Sequence, residues 1–157
     1  MNWRNWKHVT KLDPDRPISK ETVKAVAESG TDAIMVSGTQ NITSPKIAKL
    51  IEMLREHDIP KILEPVHPSL INYEHFDSIF VPTVINSNDL LFTIGMHREW
   101  VKNYEVRWEK IVPEAYIILN PNSAVGRLTK VKALGVEDTV AYAVCAERYF
   151  GFPIVYI

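Results

Sequence analysis

Apolar residues in this chain gather into short runs that end on a polar or turn-forming residue, with stretches of helical periodicity between them. The runs fall at residues 8–12, 32–36, 61–63, 78–81, 115–119 and 153–157. Several are nearly unbroken (AIMV, SIFV, YIIL, PIVYI), the pattern of parallel strands covered on both faces. Residues 19–29 read as a helix with Ser19 as N-cap, Val23, Val26 and Ala27 on one face, and Gly30 just past its end. Ser44-Pro45 opens a second helix, in which Ile47, Leu50, Ile51 and Leu54 keep 3.6 spacing. A third is expected to begin near Asn86 and to carry Leu90, Leu91 and Ile94, with Gly95 as its kink. A fourth covers 137–150 and ends at Gly151. The Pro- and His-rich segment 65–76 receives no assignment. Strand and helix alternate with short connections, so the expected fold is α/β, built from right-handed βα units on a parallel sheet.

Polar residues recur where these strands end. Side chains two apart share a strand face, so Lys11 and Asp13 point the same way, as do Ser37 and Thr39. Glu64 follows KIL, Thr83 follows IFVP and Asn120 follows YIIL. In β/α barrels and in open α/β sheets alike, ligands bind at the carboxyl ends of the strands. Taken singly, each of these residues also fits turn chemistry or helix capping, and Asp13 in LDPD fits an Asx turn. Together they suggest a rim. One carboxylate with hydroxyls nearby suits Mg²⁺ that arrives with a diphosphate, since Mg²⁺ keeps waters and takes substrate oxygens as ligands. Lys11 would then meet an anionic oxygen as a point charge.

Composition narrows the class. The 157 residues carry 18 Lys+Arg against 19 Asp+Glu, a formal charge of −1 that argues against a nucleic-acid partner. A hydrophobic share of 46% is ordinary for a globular protein, and this length is expected to form one domain over 1–157. The N-terminus lacks the apolar core of a signal peptide, and no run reaches the roughly 18 apolar residues of a membrane span. A single cysteine, Cys145, fits a reducing compartment, so a cytoplasmic location is expected.

Taken together, WKHVTKLDPDR at 6–16, ESGTDAIMVSGTQN at 28–41, LEP at 63–65, FVPTVINS at 80–87, GMH at 95–97, ILNPNSAV at 118–125 and FPIVYI at 152–157 resemble the geranylgeranylglyceryl phosphate synthase family. That family includes the heptaprenylglyceryl phosphate synthases, and the likeness is closer to its archaeal branch. The resemblance implies a TIM-barrel prenyltransferase joining sn-glycerol 1-phosphate to a long prenyl diphosphate in ether-lipid synthesis. It places Asp13 and Thr39 on Mg²⁺-binding positions and Lys11 on a glycerol-phosphate-binding position. Tyr156 falls at the opening of a Tyr-x-Glu-Tyr-Ser-Gly segment that binds substrate. Trp100 lies near the position that sets prenyl length, where a bulky side chain favours the C20 tail.

The sequence departs from the family at Ile157, before the glutamate that serves as the family's base and before the glycine-rich phosphate loops. Six strands are read where a full barrel has eight. The expectation is therefore an incomplete (β/α)8 barrel, strands one to six, completed by a complementary polypeptide and inactive alone, with a higher oligomer in keeping with the family. On the remaining rim, Glu64 is the candidate substitute base and Asn120 the candidate to orient a substrate oxygen. Two other readings compete: a sugar-phosphate isomerase or aldolase barrel, with Lys11 as its candidate lysine, and a non-catalytic fragment that scaffolds or binds.

Other residues are expected to be structural. The five histidines show no i, i+4 pair of the zinc type, and Cys145 reads as a packed helix position. Trp3 and Trp6 suggest a short N-terminal turn, and residues 102–110 a solvated helix face.

Overall fold

The computed structural model describes residues 2–157, in two compact units, Met1–Ile79 and Phe80–Ile157. Among the described residues no helix is long and apolar enough to cross a membrane.

The first unit follows the expected alternation. A 3-10 turn at Trp3–Asn5 precedes strand β1 (Val9–Leu12); helix α1 (Lys20–Ala27), β2 (Ala33–Val36), helix α2 (Ser44–Leu54) and β3 (Lys61–Leu63) follow. β1, β2 and β3 pair in parallel, and β3 then pairs in parallel with the first residues of β4 (Ser78–Val84). Ser19 caps α1, its hydroxyl accepting the Thr22 N–H at 3.2 Å. Pro45 occupies the first turn of α2, where its missing N–H costs nothing. Ile34, Val36, Leu50, Leu54 and Ile62 are essentially without exposure, each side chain contributing roughly 1.5–3 kcal/mol by its burial.

Aspartates clamp the amino ends of two strands. Asp32 accepts the Lys7 and His8 N–H groups at 2.7 and 2.9 Å, and these bonds hold its carboxyl below the usual aspartate range. Asp77 accepts the Lys61 N–H at 2.8 Å.

In the second unit, β4 continues through Pro82 and on to Val84, beyond the expected stop at 81. A π-turn (Leu91–Gly95) runs into helix α3 (Met96–Asn103), and β5 follows at Ile111–Tyr116. Helices α4 (Ala124–Thr129) and α5 (Val136–Arg148) lead to β6 (Ile154–Tyr156), which pairs in parallel with β5. Three expectations are corrected here. β5 starts at Ile111, not 115, because the strand accommodates Pro113 and a buried Glu114 that sequence alone reads as a break. The third helix does not begin at Asn86, whose side chain is held by the sheet. Residues 102–110 are not one helix face: α3 ends at Asn103 and a separate 3-10 turn occupies Trp108–Lys110. The Gly95 kink takes a definite form, with Gly95 N–H donating to Leu90 O, five residues back, at 2.9 Å.

Candidate functional site

The parallel register of the first unit aligns Leu12 with Val36 and Val36 with Leu63. One step further along each strand stand Asp13, Ser37 and Glu64. The ladder extends to this level, with Ser37 N–H donating to Leu12 O at 3.1 Å and Glu64 N–H to Val36 O at 3.0 Å. Three polar side chains therefore share one level and one face at the carboxyl ends of β1, β2 and β3.

Lys11 and Glu64 meet directly. The Lys11 ammonium donates to Glu64 Oε2 at 3.2 Å; the Glu64 side chain is 8% exposed and that of Lys11 41%. A buried carboxylate thus holds a cation whose side chain stays open to solvent, and an ammonium has N–H groups to spare for a second anionic partner. An amine engaged by a carboxylate and open to solvent lacks the apolar, desolvated surroundings of a Schiff-base lysine.

Asp13 is partly exposed and makes the expected Asx turn, its Oδ1 accepting the Asp15 N–H at 2.9 Å, while Oδ2 lies 3.8 Å from Arg16 Nε. Its carboxyl rests against Gly38. A Cβ built on Gly38 would overlap Asp13 Oδ1 and stand 2.9 Å from Asp13 Cγ, so the close approach requires glycine. Thr39 follows immediately and is half-buried. A partly exposed carboxylate seated on Gly38, with a half-buried threonine next in the chain, is a donor set that a hydrated Mg²⁺ would fit. Among the described residues no group of three His, Cys, Asp or Glu side chains forms a closed cage. Beside this rim, Asp15 binds Lys46 at 2.5 Å, which draws its carboxyl down from the ordinary value.

In the second unit the rim residues are differently placed. Thr83 lies inside β4, its hydroxyl 2.8 Å from His97 Nε2, and burial pushes the His97 pKa below its usual 6.5. Asn86 is buried; it donates to Ile118 O at 2.9 Å and accepts the Ile118 N–H at 3.1 Å, continuing the sheet with a side chain. Asn120 stands four residues past β5, where Oδ1 accepts the Asn122 N–H at 2.9 Å and its carbonyl accepts the Ser123 hydroxyl at 2.7 Å. Ser123 then caps α4 through Gly126 N–H at 3.0 Å. Tyr156 stacks on Tyr116 with ring centroids 4.5 Å apart. Trp100 is buried on α3, its indole N–H 3.4 Å from Glu105 O.

Sequence reasoning singled out neither Gly38 nor the clamping role of Asn86. A glycine between a strand end and the first loop residue was the available signal for Gly38. Nothing in the spacing distinguishes Asn86 from a helix cap.

The PcrB family model matches residues 1–157. A geranylgeranylglyceryl phosphate synthase of Methanospirillum hungatei is 44% identical over 99% of this chain and 68% of its own length. One from Methanoregula boonei is 46% identical over 100% of this chain and 70% of its own. Among solved structures, (S)-3-O-geranylgeranylglyceryl phosphate synthase of Thermoplasma acidophilum, in complex with its substrate sn-glycerol-1-phosphate, is similar with a TM-score of 0.80. It is 29% identical, with 99% of this chain and 65% of that chain covered. The chain therefore spans about two-thirds of the length of the relatives it matches.

Proposed function

This chain belongs to the PcrB family, and from that premise we propose that it carries the prenyltransferase chemistry its relatives are named for, in archaeal ether-lipid synthesis. The reaction joins the C3 hydroxyl of sn-glycerol 1-phosphate to C1 of geranylgeranyl diphosphate and releases diphosphate. The single observation behind the reading is identity of 44–46% along essentially the whole chain to synthases of that name. The activity is proposed for these residues together with the third of the fold that the relatives carry besides, whether in the same or in a complementary polypeptide.

Lys11, fixed by Glu64, supplies a positive charge for the glycerol phosphate. Asp13, seated on Gly38, and Thr39 would hold Mg²⁺, which when bound neutralises charge on the departing diphosphate. Glu64 is assigned the positioning of Lys11 ahead of a role as base, because its near oxygen is already engaged by the ammonium. Asn120 and Tyr156 are assigned to substrate contact, and Trp100 to the limit on prenyl length.

The test is incubation of the protein, as isolated from its cells, with geranylgeranyl diphosphate, sn-glycerol 1-phosphate and Mg²⁺, following ether product by mass. Product formation is expected, falling by roughly a hundredfold or more in Asp13→Ala. No product, or an Asp13→Ala rate near that of the unaltered protein, overturns the reading.

A further inference from the structure

The segment from Leu90 to Lys102 has a face that the transferase reading does not use. Its inner side is firmly held. Phe92 packs on the buried cluster of Val84, Ile118 and Val131, and Trp100 is 5% exposed. Asp89 accepts the Leu91 N–H at 3.0 Å and is itself held by Lys130 at 2.7 Å. The outer side is unusual. Leu90, Leu91, Ile94 and Val101 are 77%, 46%, 61% and 56% exposed, within twelve residues of chain. Arg98 and Lys102 lie among them, exposed, and neither has a hydrogen bond or ion pair among the described residues. The one acid of this helix, Glu99, is engaged by the Asn103 amide at 2.6 Å.

We propose that this face docks on an anionic lipid bilayer, with the four aliphatic side chains entering the headgroup boundary and Arg98 and Lys102 meeting lipid phosphates. An amphipathic element of this kind lies in the plane of a membrane surface through apolar burial combined with attraction to anionic lipid. Charge selects the occupant. A second copy of the chain, docked through the same face, would offer these cations one acid, Glu99, which the Asn103 amide already engages. A bilayer of negative headgroups pairs both. The inference goes beyond the transferase reading: vesicle binding needs no turnover, and turnover on detergent-dispersed prenyl diphosphate needs no vesicle.

The test is flotation of the full chain with vesicles of phosphatidylglycerol and phosphatidylcholine in equal parts, beside vesicles of phosphatidylcholine alone. The protein is expected to float with the anionic vesicles and to be released by salt. Leu90→Ser with Ile94→Ser, and separately Arg98→Glu with Lys102→Glu, are expected to keep the melting temperature and lower the bound fraction roughly tenfold. Failure to float with anionic vesicles at low salt overturns the proposal. So does equal binding of both vesicle types that the charge reversal leaves unchanged. Self-association that the serine pair abolishes, without any effect on flotation, assigns the face to a second copy and overturns it as well.

Discussion

Gly38 gives the Asp13 carboxylate its place, because a larger residue there would overlap it. Gly38→Ala would force the carboxyl away from its seat, since the added methyl stands 2.9 Å from Asp13 Cγ. The expected result is a loss of about 1–3 kcal/mol in urea unfolding, as for other forced overpacking, with turnover reduced alongside it. A stability loss without any effect on turnover would separate the packing of Asp13 from its assigned role. His97 makes a second case. Burial holds its pKa below the ordinary 6.5, so the unfolded chain takes up a proton that the folded chain refuses. Its contribution to stability is complete above that value and declines as pH falls below it. Urea midpoints should therefore drop as pH falls below about 6.5, and His97→Gln should flatten that part of the profile.

At the scale of elements, side chains extend the sheet where backbone pairing stops. Asn86 closes two hydrogen bonds with the backbone of Ile118 in a buried setting. Asn86→Ala leaves one buried donor and one buried acceptor unmatched, and about 2–4 kcal/mol is expected to be lost, measured by urea unfolding. This residue also shows where sequence patterning runs out. Unbroken apolar runs such as AIMV revealed the strands, and the Ser19 and Pro45 signals revealed two helix starts, because each depends on neighbours in sequence. The Asn86 clamp depends on a partner thirty-two residues away. β5 was misplaced because Pro113 and Glu114 look like a break, and α4 was missed because six residues carry too little periodicity. The candidate site divides in the same way. Lys11, Asp13, Glu64 and Thr39 could be named from strand ends and resemblance, whereas the Lys11–Glu64 pair spans fifty-three residues and only the fold discloses it.

For the whole molecule, net charge and exposed apolar surface act together. Acids and bases nearly cancel, with a formal charge of −1 and a pI near 6.5. Large apolar side chains remain exposed, chiefly in the second unit, from Leu90 to Tyr149 and Phe150. With little charge to keep molecules apart, such surface promotes association. Light scattering of the purified chain is expected to be greatest near pH 6.5 and to fall on either side. A minimum there instead would show that charge repulsion does not govern its solubility.

The π-turn at Leu91–Gly95 carries a consequence for descent. It holds one residue more than the α-turn it replaces, so losing any single residue there would yield an ordinary helix rather than a broken one. Everything before the deletion would then swing by roughly 100° relative to Trp100. An insertion or deletion at this point acts as a rotation, changing which side chains the surface presents while leaving the helix intact. The length of this one turn and the identity of the face are thus a single structural variable.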